Sequence, residues 1–259
     1  MKNPNYALVT GASQGLGRVF AHALAERKEN VILVARSRDK LESLANELKR
    51  SHSVLAEVLE FDLASPSAGA RLAQQLRDQA LQVNLLVNNA GFGVRGEFFK
   101  LPLERQMEMI RLNNAAVVEL TYLLLPSLME HSQPGIINVS SAAGFQPMPY
   151  ASLYGATKSF LLNFSLGLEE ELRSKGVSVV TLCPGRILAE GRPGEGKNGN
   201  RKFGFVYQSP GDVTREALES LARGGGLVIP GFINKFSVFA QRLIPRRTVP
   251  KLVAKMSRQ

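Results

Sequence analysis

Thr10-Gly11-Ala12-Ser13-Gln14-Gly15-Leu16-Gly17 joins the apolar run Tyr6–Thr10 to Gly15–Arg27, a segment with helical periodicity. Glycines between a strand and a helix permit a tight turn and let the backbone approach a phosphate closely. The positive end of the helix then faces that anion. The spacing is Gly-x-x-x-Gly-x-Gly, not the Gly-x-Gly-x-x-Gly of the general dinucleotide fingerprint.

Working outward, apolar β-branched runs alternate with helical patterns. Strands are predicted at Tyr6–Thr10, Val31–Ala35, Val54–Phe61, Val83–Asn88, Gly135–Ser140, Val177–Cys183 and Leu227–Pro230. Between them lie helical stretches at Gly15–Arg27, Arg38–Arg50, Ser67–Ala80, Leu103–Glu130, Ala151–Ser174 and Asp212–Arg223. This alternation predicts an α/β protein with a seven-stranded parallel sheet and helices on both faces. Neither an internal repeat nor a dividing linker appears in the 259 residues, so a single domain over 1–259 is expected. The glycine-rich segment 186–210 breaks the rhythm just beyond a strand's carboxyl end, where open α/β sheets bind ligands, and it reads as a substrate lid.

Bulk properties narrow the classes. No apolar run reaches the ~20 residues of a membrane span, and no signal peptide precedes the first strand. Cys183 is the one cysteine, which excludes an internal disulfide framework. A cytoplasmic location is expected, with peripheral membrane contact left open. The net charge is +10, and no acidic residue follows Glu219. Residues 232–259 form a basic, amphipathic tail. It reads as a solvated or docked helix, or as a surface for anionic lipid or an acidic partner such as an acyl carrier protein. No nucleic-acid partner is expected. His22, His52 and His131 lack metal-ligand spacing, and no metal is expected.

Tyr154 and Lys158 stand four apart, on one helix face, thirteen residues or more after Ser141. A free phenol, with a pKa of ~10, exchanges protons poorly at neutral pH. Lowering it by two or three units takes ~3–4 kcal/mol, about what an ammonium ~4 Å away supplies at an effective dielectric of ~20. The pair therefore reads as a proton-transfer site beside a phosphate cradle.

The order Thr10–Gly17, Asp62, Asn88-Asn89-Ala90-Gly91, Asn113, Ser141, Tyr154, Lys158, Pro184-Gly185 resembles the short-chain dehydrogenase/reductase family over almost the whole chain. The resemblance implies a doubly wound Rossmann fold and hydride transfer between a nicotinamide and a carbonyl or alcohol. It implies that Tyr154 is the general acid/base, Ser141 orients the carbonyl, Lys158 also holds the nicotinamide ribose, and Asn113 anchors a water. Gly11, Ser13, Gln14, Gly15, Leu16 and Gly17 would hold the pyrophosphate side, Asp62 and Leu63 the adenine, and Asn89, Ala90, Gly91, Pro184, Gly185 and Ile187 the remainder. NAD sites carry an acid about 20 residues after the glycine turn. Here the second strand ends in Ala35-Arg36-Ser37-Arg38. A guanidinium suits a phosphate, so NADP(H) is expected, with Arg36 on the 2′-phosphate and Arg38 and Ser13 as helpers.

By the same resemblance, Phe92, Val94, Phe145, Met148, Ile187 and Leu188 face the substrate, with Ser141 on its carbonyl and Phe203, Phe205 and Tyr207 in the lid. Apolar walls suit a hydrophobic ketone or aldehyde, of 3-oxoacyl or steroid type. The resemblance departs at Ala189, where relatives carry a Thr. It implies a homodimer or homotetramer. A regulatory NADP(H)-binding protein on the same fold and peripheral lipid binding by the tail are the alternatives.

Overall fold

The computed structural model describes residues 4–188, 207–241 and 243–257. Most of the expected lid, with Ala189, Phe203 and Phe205, lies outside the described residues. Seven parallel strands form one sheet in the order β3-β2-β1-β4-β5-β6-β7. They are β1 (Asn5–Thr10), β2 (Asn30–Ala35), β3 (Ala56–Glu60), β4 (Gln82–Asn88), β5 (Gly135–Val139), β6 (Ser178–Leu182) and β7 (Gly225–Val228). The helices are α1 (Gly15–Glu26), α2 (Arg38–His52), α3 (Ala68–Asp78), α4 (Leu103–Ile110), α5 (Ala116–Leu128), α6 (Ser152–Arg173), α7 (Pro210–Ala222), α8 (Phe232–Gln241) and α9 (Val249–Ser257).

The strands are apolar throughout because both faces are covered. In β1, Ala7 and Val9 pack with Phe20 and Leu24 of α1 and Leu41 of α2. Tyr6 and Leu8, one residue out of phase, pack with Leu72 of α3 and Leu120 and Leu124 of α5. The strand order reverses at β1, so its carboxyl end and that of β4 flank the crevice where such sheets bind ligands. Thr10 closes that end: its hydroxyl donates to Val87 O and accepts from the amides of Asn89 and Ala90.

Two expected elements differ. Leu103–Glu130 is not one helix: a π-helical stretch, Arg111–Ala115, separates α4 from α5. The five-residue turn rotates two adjacent asparagines, Asn113 and Asn114, into the interior. The tail is likewise two helices, α8 and α9, parted around Pro245, whose missing N–H cannot continue a helical ladder.

Beneath the crevice, Asn88 donates to Asn138 Oδ1 at 2.8 Å and to Thr121 Oγ1 at 3.3 Å, and Asn138 donates to Ser165 Oγ at 2.9 Å. All four residues are buried. Asn88→Ala leaves the Asn138 carbonyl oxygen without its donor, at roughly 1–3 kcal/mol. Calorimetry should show the melting midpoint lowered by about 3–10 °C; an unchanged midpoint would contradict this account of the strand ends.

Candidate active site

The glycine turn has the backbone geometry that a phosphate would need. Gly11 and Gly15 take φ of 68° and 55°, left-handed values that strain other residues. A Cβ on Gly17 would lie 2.3 Å from Gly11 O, so only glycine lets α1 start this close to β1. Apart from its chain neighbours and the helix's own backbone, nothing stands within 4 Å of where a Gly15 Cβ would be. The Gln14 side chain makes no capping hydrogen bond, and the first turn of α1 carries no acid. The N-terminal amides of α1 and its positive end thus face open space, which fits a pyrophosphate. Asn89 holds the turn from the other side, donating to Thr10 O at 2.8 Å.

Beside the cradle, Arg36 follows the end of β2 and is mostly exposed, with a loose contact of 3.7 Å to Glu108. An exposed pair this long is worth little, so the guanidinium can turn to an anion. Arg38 is engaged with Glu42 at 2.7 Å. Asp62 Oδ1 accepts from Ala64 N, and Leu63 is buried beside it.

Ser140 and Ser141 diverge. Ser140 Oγ donates to Lys158 O at 2.7 Å, a structural contact within the core. The Ser141 hydroxyl accepts from Ala143 N at 3.1 Å and acts on the Tyr154 phenol. Gly93 makes room for the phenol ring: a Cβ there would fall 2.7 Å from Tyr154 Cδ2. Lys158 is buried, and its Nζ donates to Val139 O at 2.8 Å. Gly91 separates that ammonium from Asn113: a Cβ on it would come within 3.4 Å of Lys158 Nζ and 3.0 Å of Asn113 Oδ1. Asn113 bonds both backbone groups of Phe92 and donates to Thr157 Oγ1, while Asn114 donates to Thr157 O. Glycine turn, β4 end, π turn and α6 therefore meet at one place.

The electrostatics differ from a simple lysine–phenol pair. Burial raises the Tyr154 pKa above its ordinary value, with the Ser141 hydroxyl pulling the other way. Burial lowers the Lys158 amine to about 8. The expected lowering of the phenol by Lys158 is absent among these causes. The ammonium is turned to Val139 O, and both groups lose solvation together. At neutral pH the site holds a protonated phenol and a largely charged amine, an arrangement able to donate a proton and stabilise the anion left behind. Burial also raises the Cys183 thiol to about 11, so it remains a neutral, packed group.

On the substrate side the expected residues divide. Phe145 and Met148 line a cavity of about 770 Å³ that also contacts Pro149, Gly155, Val238 and Ile244. Phe92, Val94 and Leu188 do not line it. Phe92 lies under the Arg105 guanidinium, 3.9 Å from the ring centroid, and Val94 packs near Phe98 and Leu101. Ser141 and Tyr154 are not in the cavity wall, which begins at Gly144 and includes Ser152 and Gly155. Pro184 O accepts from Ala142 N, Gly185 N donates to Gln208 Oε1, and Ile187 bridges Gln208. Gln208 and Thr157, absent from the sequence reading, carry no motif signal. Among the described residues, no group of three His, Cys, Asp or Glu is placed to hold a metal.

The family model described as short chain dehydrogenase matches residues 5–198. Human very-long-chain 3-oxoacyl-CoA reductase is 36% identical over 183 residues, which cover 69% of this chain but 58% of that protein, under two thirds of its length. The protein of the same name from Anas platyrhynchos is 36% identical over 262 residues, covering 98% of this chain and 80% of that one. A short-chain dehydrogenase from Sphingobium yanoikuyae, solved in complex with NADPH, superposes with a TM-score of 0.78 at 31% identity, covering 93% and 94% of the two chains.

The buried lysine gives a pH signature. Its folded-state pKa of about 8 lies below the ordinary 10.5, so between these values the unfolded chain binds more protons and stability rises with pH. Urea unfolding of wild type and Lys158→Met should show wild type gaining about 3 kcal/mol on the variant from pH 8 to 10.5. A constant difference would mean that the amine is not held in a desolvated site.

Proposed function

The chain belongs to the short chain dehydrogenase family, and on that premise we propose that it transfers a hydride between NADP(H) and the carbonyl or alcohol carbon of an apolar substrate. The observation that carries this reading is the meeting of the Ser141 hydroxyl with the part-buried Tyr154 phenol, four residues before the buried Lys158 on α6. When bound, NADPH supplies the hydride. Tyr154, kept protonated by burial, gives its proton to the carbonyl oxygen. Ser141 orients that oxygen and supports the phenolate through its hydrogen bond. Lys158 adds the Coulombic attraction of a buried cation. Asn113 positions Phe92 and α6 so that these groups share one crevice.

NADP(H) would lie along Gly11–Gly17 and the strand ends from Asn89 to Gly91 and Pro184 to Ile187, with its adenine by Asp62 and Leu63. The absence of an acid after Ala35 and the accessible Arg36 favour a 2′-phosphate over a free 2′-hydroxyl. The NADPH complex of the Sphingobium relative supports the same choice.

For the substrate we favour the 3-oxoacyl class, on the names of the human and duck relatives and the apolar cavity beside the reaction residues. A volume near 770 Å³ suits a ligand well beyond a simple ketone in size.

Loss of reduced-nicotinamide absorbance against 3-oxoacyl thioesters of increasing length tests the reading. Turnover should favour NADPH over NADH by at least about tenfold in kcat/KM and rise with chain length; Arg36→Asp should cancel the NADPH preference. Faster turnover with NADH would refute the assignment of Arg36.

Tyr154→Phe keeps the ring and removes the proton. It should lower kcat by ~10²–10⁴ with little change in NADPH affinity, as read by fluorescence titration. A variant that keeps its rate would displace Tyr154 from the mechanism.

A further inference from the structure

Helix α8 turns one face to the protein and leaves an apolar face uncovered. Asn234, Val238 and Gln241 face the protein: Asn234 packs against Gly185, while Val238 and Gln241 line the cavity. On the opposite side, at helical spacing, stand Phe232, Phe236 and Phe239, exposed at 81%, 62% and 60%. Ile233 and Leu243, both exposed, widen this stripe. Singly exposed apolar residues are ordinary, but five within twelve positions form a surface that water disfavours.

The charge of the tail that carries the stripe is of one sign. Lys235 flanks the phenylalanines on α8, and Arg242, Arg246, Arg247, Lys251, Lys255 and Arg258 follow without an acidic side chain. Lys235, Arg246, Arg247, Lys251 and Lys255 are exposed, and none stands in an ion pair among the described residues.

We propose that α8 docks this chain on an anionic lipid bilayer, with Phe232, Phe236 and Phe239 in the acyl–headgroup boundary and the tail cations on the headgroups. A short helix with an aromatic face and a basic flank is suited to lie in that boundary, and each nearby cation is drawn to a negative leaflet. The other natural cover, the same stripe of a second copy, would bring like-charged tails together. Charge complementarity selects the bilayer over self-pairing. Because the inner face of α8 lines the cavity, lipid contact sets the source of apolar molecules one helix away from it.

Flotation of the full chain with vesicles tests this. Vesicles of phosphatidylglycerol and phosphatidylcholine should carry the protein at low salt, at least tenfold better than pure phosphatidylcholine, and release it in 0.5 M NaCl. Phe236→Ser with Phe239→Ser should weaken binding at least tenfold, while circular dichroism and the melting midpoint stay as in wild type. Lys235→Glu with Lys251→Glu should weaken binding to anionic vesicles and leave the weak phosphatidylcholine binding unchanged. These readouts need no turnover, so they stand or fall apart from the proposed reaction. Failure of wild type to bind anionic vesicles overturns the proposal, as does full binding by the serine variant. It is also overturned if sedimentation velocity in lipid-free buffer shows that the serine changes dissociate an oligomer, since a second copy would then be the cover.

Discussion

A lysine ammonium held under the end of the central sheet organises this site. Removing Lys158 from water disfavours its charged form, and that penalty is tolerable only if its surroundings are fixed. Val139 O receives the ammonium, and Ser140 ties the backbone of Lys158 itself to the end of β5. Gly144 is required beside it, because a Cβ there would come within 2.8 Å of Lys158 O. Gly91 leaves the opening between the ammonium and Asn113. Positions spread over three segments are thus constrained by one buried charge, and the phenol of Tyr154 takes its place from the same helix.

The π turn is the second half of that constraint. Its extra residue per turn shifts the register between α4 and α5 at Arg111–Ala115, where Asn113 and Asn114 both lie in the interior. The wider turn buries both, one bonding the Phe92 loop and the Thr157 side chain, the other the α6 backbone. Two crevice walls, the segment after β4 and the start of α6, are thereby fixed to each other. Gly96 N bonding to Tyr150 O adds a second tie between them. Rigidity at this point matters because proton transfer falls off steeply with misplacement of the donor.

How far the sequence discloses this depends on the range of the interaction. The sheet was legible because strands buried on both faces are written as unbroken apolar runs, and Tyr6–Thr10 and Val31–Ala35 could be little else. The glycine turn was legible because backbone geometry demands a residue without a Cβ at Gly17. Ser141 could be preferred to Ser140 on spacing, though only the structure shows one hydroxyl turned to the core and the other to the phenol. The π turn left no trace, since its asparagines look like polar breaks in an amphipathic helix. Nor could the sequence show that burial, and not Lys158, governs the phenol, which depends on where the ammonium points. The cavity was the least legible. Its walls come from residues 144–159 and from a tail about ninety positions later, and no local pattern encodes such a meeting.

That division between local and distant encoding has a functional sense. The glycine turn, Tyr154 and the buried Lys158 stand on strand ends and one helix, with Lys158 and Asn89 held by hydrogen bonds to backbone. The cavity wall is shared with α8 and α9, elements joined to the sheet by a few contacts such as Asn234 against Gly185. Changes in the tail can therefore alter what the cavity admits without disturbing Tyr154 or Lys158. On the proposed reading, the chemistry would sit in the sheet-borne part of the chain and the choice of molecule in the carboxyl-terminal helices.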